Sequence, residues 1–189
     1  GVTGVQTCAL PISYLRVLQT AQPLAHALGV PLCVEDGLAE FGHTHGTIAP
    51  AAKRYAFFPE VDLDYVAIDR EYAEQAAAGT KETNVEYLRR MVRMARELPK
   101  RHPGSTVACF SHAASVGLVA ALTGCTELQQ AGKFAPCGVF KLVCDASGKW
   151  TVERHGDDNT EYCSSNAPTT FPWGFSPAME PAWVEARQL

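Results

Sequence analysis

Residues 106–115 read TVACFSHAAS, and this stretch decides the fold class that we expect. Residues 106–110 form a compact apolar run, which is typical of a strand covered on both faces of a parallel sheet. The small residues that follow open a predicted helix. In such folds the turn between strand and helix lines the ligand crevice, and the first N–H groups of the helix can bind an anion. His112 in this turn is therefore placed to contact a phosphate, and the alternative is a histidine that only caps the helix.

Helical and strand patterns alternate on both sides of this stretch. Apolar residues recur at helical spacing from Tyr14 until Gly29, and a short apolar run follows at residues 31–34. Residues 83–86 fit a capping box that begins another helix. A hairpin is predicted at residues 139–153, around a polar turn that contains glycine. The alternation predicts an α/β fold with a mainly parallel sheet.

The composition limits the class of protein. The chain has 189 residues with 47% hydrophobic content, which suits one α/β domain. The net charge of −4 is spread without basic runs, so we expect no nucleic-acid partner. No apolar stretch is long enough to span a membrane, and no secretory signal is evident. The seven cysteines form no C-x-x-C pair, so neither a zinc knuckle nor a redox dithiol is indicated. Several of them lie in apolar runs, which favours reduced thiols and a cytoplasmic location.

The first residues do not share the pattern of the rest. Residues 2–12, VTGVQTCALPI, resemble the translation of a sequencing-library adapter, and we exclude them from the expected fold. The alternative is a short natural strand that ends at Pro11. The predicted organisation is a foreign segment at residues 1–13, one domain at residues 14–160, and an irregular tail at residues 161–189 whose aromatic residues pack on the domain.

Three short elements carry a resemblance to a known family. Residues 14–21, which include Arg16, are similar to an S-P-x-x-R-x-x-Q-T-A element, although the residues that precede Arg16 depart from its serine and proline. Residues 111–115 resemble an S-H-G-x-S element with alanine in place of glycine. Residues 35–40 are similar to an E-P-G-L-x-E element. In this order, the elements resemble the histidine phosphatase superfamily, also called phosphoglycerate-mutase-like, and the third resembles its eukaryotic branch of ecdysteroid-phosphate and SH3-containing phosphatases.

The resemblance implies a three-layer fold and phosphomonoester hydrolysis through a phosphohistidine, without metal or cofactor. It implies that Arg16 and His112 hold the phosphoryl oxygens and that Glu40 protonates the leaving oxygen. The substrate would be a small-molecule or protein phosphomonoester. The nucleophilic histidine of the family lies in an R-H-G motif after the first strand, whose place is before Ser13. We therefore expect that strand to be missing and the chain as given to be inactive. The oligomeric state is left open.

Three alternatives stay open. Arg154-His155-Gly156 is an R-H-G triplet, but it follows the second strand of a late hairpin, where the family has a G-D pair that Gly156-Asp157 supplies. The second alternative is a non-catalytic phosphatase-like binding or scaffold module. The third is a metal-dependent hydrolase, for which His43 and His45 would be ligands together with Asp62 or Asp64.

Overall fold

The computed structural model describes residues 7–12, 14–41, 56–163 and 175–189. The chain divides into two compact units, and each is described by itself. Unit 1 contains Gly1–Thr83 and Arg96–His112, and unit 2 contains Asn84–Ala95 and Ala113–Leu189. The predicted boundaries at residues 13 and 160 stay a prediction.

Unit 1 is organised around a small parallel sheet. Strand β1 (Thr7–Pro11) pairs in parallel with strand β2 (Thr106–Phe110). On the other side of β1, Ala9 forms a parallel bridge with Leu32, which forms another with Val61. The segment around Leu32 was predicted as a short strand, and its N–H and C=O groups bond on both sides at 2.8–3.0 Å. The predicted α/β class with parallel pairing is confirmed.

The position of β1 corrects the expectation that residues 2–12 take no part in the fold. Ala9, Leu10 and Ile12 are fully buried. Cys33 N donates to Ala9 O at 2.9 Å, so the segment joins two neighbouring strands. The apolar run from Cys8 to Ile12 has the burial and pairing of an interior strand, which the resemblance to an adapter had obscured.

Helix α1 (Leu15–Leu28) covers this sheet, as the apolar spacing predicted. Its face toward the sheet carries the core cluster, which also includes Ala9 and Val61. Gly29 ends the helix with a left-handed φ of 65°, and its N–H returns to the last turn. Residues 36–80 show only weak periodicity, which predicts an irregular excursion with short helical pieces. Their described part contains a 3-10 turn (Asp36–Leu38) and helix α2 (Glu71–Ala77).

Helix α3 (Asn84–Arg101) contributes residues to both units. It begins where the capping-box pattern placed it, and it ends at Arg101, two residues after Pro99. A proline in the last turn removes one backbone N–H and leaves the other hydrogen bonds of that turn in place. The helix can therefore continue for a few residues beyond it.

Unit 2 contains a helix that packs closely on α3. Helix α4 (Val116–Thr123) follows a 3-10 turn (Ala113–Ser115), and Gly124 ends it in the left-handed region with a φ of 69°. A Cβ atom on Gly117 would lie 3.2 Å from Met91 Cγ and 3.3 Å from Leu88 Cδ2. The glycine therefore allows the close approach of the two helices.

The predicted hairpin is also in unit 2. Strand β3 (Lys141–Cys144) pairs antiparallel with strand β4 (Trp150–Arg154), and Asp145 accepts three hydrogen bonds in the turn between them. Next to the hairpin two backbone segments meet at glycines. A Cβ atom on Gly138 would lie 2.0 Å from Gly156 O, and one on Gly156 would lie 2.4 Å from the ring of Phe140.

The tail differs from the irregular structure that was expected. It contains helix α5 (Glu180–Ala186), in which Trp183 is 1% exposed and donates to Cys125 O at 3.3 Å. Glu180 accepts from Leu128 N and Gln129 N. These contacts fix the helix within unit 2. None of the helices in the described ranges has the length and apolar character needed to cross a membrane.

Candidate active site

Three segments of unit 1 bring the predicted site residues together. Arg16 lies in the first turn of α1, His112 follows the end of β2, and Glu40 follows the 3-10 turn after the Leu32 segment. Arg16 Nη2 lies 3.2 Å from His112 Nε2, and Glu40 Oε2 lies 3.4 Å from His112 Nδ1. The sequence therefore predicted a set of residues that the fold assembles. We call Arg16, Glu40 and His112 the site cluster.

The hydrogen bond from Arg16 fixes the tautomer of His112. A guanidinium has only N–H donors, so the Nε2 atom that it contacts must accept. In the neutral imidazole the proton is then on Nδ1, which faces the Glu40 carboxylate at 3.4 Å. This distance is longer than an ordinary hydrogen bond, and contacts in a site without ligand often shorten when the ligand binds.

Burial and the neighbouring Arg16 guanidinium lower the pKa of His112 to about 4. A carboxylate at ion-pair distance would oppose this shift if the imidazole were charged. Only 13% of the His112 side chain is exposed, and desolvation together with a cation outweighs one carboxylate at 3.4 Å. His112 is therefore neutral at pH 7, and its contact with Glu40 joins an N–H group to a carboxylate.

The strand end that carries His112 is tied to the turn that carries Glu40. The Ser111 hydroxyl donates to Leu38 O, and the Glu40 carboxylate accepts from Phe41 N at 3.2 Å. These contacts limit how far the histidine and the carboxylate can move apart. Arg16 is exposed, and its side chain is accessible to a solute.

Two tyrosines beside the cluster were not predicted as site residues. The Tyr14 ring lies edge-on to the His112 ring at 5.6 Å, and Arg16 Cζ lies 4.8 Å from the Tyr14 centroid. The Tyr14 hydroxyl lies 3.3 Å from the Tyr72 hydroxyl. The Tyr72 hydroxyl donates to Glu40 O at 3.2 Å. Tyr14 was noted only as a departure from the family element. Tyr72 carries no motif and is far away in sequence, so no sequence signal could have found it.

A second carboxylate near the cluster is fully buried. Glu35 accepts from Gly37 N, Ile68 N, Asp69 N and Tyr65 Oη at 2.7–3.2 Å. Burial raises the pKa of Glu35, and the hydrogen bonds oppose that shift. Glu35 thus attaches the segment at residues 65–69 to the turn that precedes Glu40. Asp69 in turn accepts from Tyr72 N at 3.3 Å, at the start of α2.

A comparison with protein families places the chain. The family model described as histidine phosphatase superfamily (branch 1) matches residues 13–158. The chain belongs to the histidine phosphatase superfamily. Membership indicates phosphatase-type chemistry through a phosphohistidine and an α/β fold of the phosphoglycerate-mutase-like class. A search of the curated proteins finds no match.

The remaining sequence candidates have other surroundings. Arg154-His155-Gly156 follows β4 in unit 2, where Arg154 pairs with Glu161 at 2.7 Å and lies over the ring of Tyr162. His43 and His45 lie outside the described residues. Asp62 lies within them and accepts from Asp64 N at 2.9 Å. In the described ranges no group of three or more histidine, cysteine or acidic side chains is arranged to hold a metal ion.

Proposed function

We propose that this domain hydrolyses phosphomonoesters, with Arg16 and His112 binding the phosphoryl oxygens and Glu40 protonating the leaving oxygen. The observation that carries the proposal is the 3.2 Å contact between the arginine and the histidine. Both groups suit a phosphate, and their nitrogen atoms lie next to each other. A phosphoryl oxygen that enters there can accept from the guanidinium in charge-assisted hydrogen bonds.

The electrostatics of His112 suit an anionic ligand. Its imidazole is neutral without a ligand because it is buried beside a cation. A phosphate dianion next to Nε2 favours the charged form and raises the pKa. Binding at neutral pH therefore takes up a proton onto Nε2, which then donates to the phosphoryl oxygen. Phosphate affinity is expected to fall as pH rises through the pKa of His112 in the complex.

Glu40 is the residue of the cluster best suited to acid catalysis. It is 29% exposed, so water and a leaving alcohol can reach it, and it touches the phosphate-binding histidine. A general acid matters most when the leaving alkoxide is basic. In a chain to which an R-H-G strand has been supplied, Glu40→Gln should therefore reduce kcat for an alkyl phosphate much more than for an aryl phosphate with an acidic leaving group.

The decisive experiment is calorimetric titration with inorganic phosphate in two buffers of different ionisation enthalpy. We expect binding with proton uptake, and an affinity loss of about 10- to 100-fold in Arg16→Ala, since charged hydrogen bonds contribute about 1.5–3 kcal/mol. Arg89→Ala is the matched control, because Arg89 pairs with the exposed Glu185 of unit 2. Equal affinity in Arg16→Ala and Arg89→Ala would contradict the proposed site.

Turnover separates the enzyme from the alternatives. Only one R-H-G triplet occurs in the sequence, and Arg154 in it is engaged with Glu161, so we expect no aryl phosphate hydrolysis by the chain as given. Hydrolysis that is lost in His155→Ala would instead identify His155 as the nucleophile. Phosphate binding without turnover, also after an R-H-G strand is supplied, would support the binding or scaffold module. Loss of activity with a chelator would support the metal-dependent hydrolase.

Within the superfamily, the sequence from Glu35 to Glu40 supports the eukaryotic branch that includes ecdysteroid-phosphate and SH3-containing phosphatases. The segment provides the buried carboxylates of Glu35 and Asp36 and the accessible carboxylate of Glu40 around the turn at Gly37. We propose small-molecule or protein phosphomonoesters as substrates. A panel of steroid, sugar, nucleotide and phosphotyrosine esters would rank these classes by kcat/KM.

A further inference from the structure

Tyr14 and Tyr72, which we call the tyrosine pair, touch every member of the site cluster. The Tyr14 ring contacts His112 and Arg16, and Tyr72 contacts the backbone of Glu40. The two rings are joined through their hydroxyls.

The two hydrogen bonds of the tyrosine pair run in one direction, from Tyr14 through Tyr72 to Glu40. The Tyr72 hydroxyl donates to Glu40 O, because a carbonyl can only accept. A hydroxyl has one proton, so the Tyr72 oxygen accepts from Tyr14 Oη at 3.3 Å. The order is therefore Tyr14 to Tyr72 to the carbonyl of Glu40. Successive hydrogen bonds of this kind polarise and strengthen one another.

Burial makes Tyr72 the fixed end of the pair. Its side chain is 2% exposed, and its N–H bonds to Asp69, whose own N–H bonds to the buried Glu35. Tyr14 is half-buried at the start of α1. The pair thus links the guanidinium of the exposed Arg16 to a buried, hydrogen-bonded part of unit 1.

The Tyr14 ring also directs Arg16. The guanidinium carbon lies 4.8 Å from the ring centroid, so the charged group is placed over the ring face. The ring edge meets His112 in a T-shaped arrangement with 63° between the planes, which is a preferred geometry for aromatic pairs. One ring therefore sets the direction of the arginine and the orientation of the imidazole.

We propose that the tyrosine pair is the positioning element of the phosphate site, with one ring holding the arginine and the histidine and the other holding the loop that bears the acid. The proposal rests on the proposed function for its phosphate, but the positions of the side chains can be tested without one. Neither tyrosine touches a reacting atom in this assignment, so both are positioning residues.

The first test compares Tyr14→Leu with Tyr14→Phe by NMR titration of His112 and by phosphate binding. In Tyr14→Leu, Arg16 loses its support and moves into solvent, so the pKa of His112 should rise from about 4 toward its ordinary 6.5. Phosphate affinity should fall about three- to tenfold. Tyr14→Phe keeps both ring contacts and should leave the pKa unchanged and the affinity within about twofold.

Tyr162→Leu is the matched control. Tyr162 also lies under an arginine, with Arg154 Cζ at 5.0 Å from its centroid, but it belongs to unit 2. Its loss should leave the titration of His112 unchanged. An unchanged His112 pKa in a folded Tyr14→Leu would overturn the role of the ring. Absence of phosphate binding in the wild type would instead refute the proposed function and leave the NMR result valid.

The second test examines the link between Tyr72 and Glu40 with a double-mutant cycle. Glu40→Gln should change the titration of His112 in the wild-type background, because the carboxylate faces Nδ1. In a Tyr72→Phe background the loop is released, so the same substitution should have a smaller effect. An equal effect in both backgrounds, with circular dichroism showing intact folds, would overturn the role of Tyr72.

Discussion

Glu35 and Glu40 are carboxylates of one short segment with opposite environments. Glu35 is fully buried and accepts four hydrogen bonds, so it cannot reach a ligand. Glu40 is 29% exposed and faces the imidazole of His112. The comparison shows two uses of a carboxylate. Glu35, surrounded by hydrogen-bond donors, stabilises the fold. Glu40, which lies beside a neutral histidine and is open to water, can exchange a proton.

The largest expected effect is on stability at the buried carboxylate. Glu35→Gln places an amide nitrogen opposite two of the four donors, so we expect a loss of about 2–4 kcal/mol in the free energy of unfolding. Glu40→Gln should change it by less than about 0.5 kcal/mol. Urea unfolding at pH 7 measures both. Similar losses in the two variants would show that the two environments do not differ as described.

A loss of stability of nearly this size is expected when the pH is lowered, because His112, the partner of Glu40, then becomes protonated. The folded-state pKa of His112 is about 4, below its ordinary 6.5, so the unfolded chain binds the proton more tightly. The stability from neutral His112 is fully present above pH 6.5 and is lost as pH falls toward 4. Between pH 7 and 4.5 this loss should be on the order of 2–3 kcal/mol.

The comparison of wild type with His112→Asn isolates this contribution, because asparagine does not titrate and the other groups are the same. Urea unfolding at both pH values gives the difference. A gap between the two proteins that is independent of pH would mean that His112 titrates normally in the fold.

The smallest expected effect sharpens the account of Glu35. Tyr65→Phe removes the one side-chain donor among its four partners, at 3.0 Å, and should lower stability by about 1 kcal/mol. Tyr162→Phe removes an exposed hydroxyl that donates to Cys137 O and serves as control, with an expected change near zero. If thermal unfolding finds the two variants equal, the backbone donors alone hold the buried carboxylate.

The elements of the fold that depend on a local sequence pattern could be predicted from the sequence. The apolar spacing of α1 and the glycine that ends it, and the turn at Asp145, identified their elements. The resemblance of three short elements to a family also singled out the three residues of the site cluster, whose roles stay a prediction. The sequence could not show that Glu35 is buried and Glu40 accessible, because the donors to Glu35 come mainly from residues 65–69.

Other features depend on pairing that no local pattern records. Strand β1 was misjudged because its origin was inferred from a resemblance, whereas burial depends on its pairing with β2 and Leu32. Tyr72 lies in a stretch of weak periodicity, and its contact with Tyr14 spans 58 positions. Helix α5 was not predicted, because its apolar face is short and is recognised only from the burial of Trp183.

The two glycines beside the hairpin have a consequence for recognising relatives in genome data. A Cβ of Gly138 would lie 2.0 Å from a carbonyl oxygen, so this position cannot accept another residue without a backbone shift. A Cβ of Gly156 would lie 2.4 Å from the Phe140 ring, so a side chain there must displace that ring. A homologous sequence that keeps both glycines at this separation can be expected to share the local path of the chain. One that replaces either of them must rebuild the junction, so the pair offers a simple filter for deciding where this structure is a valid template.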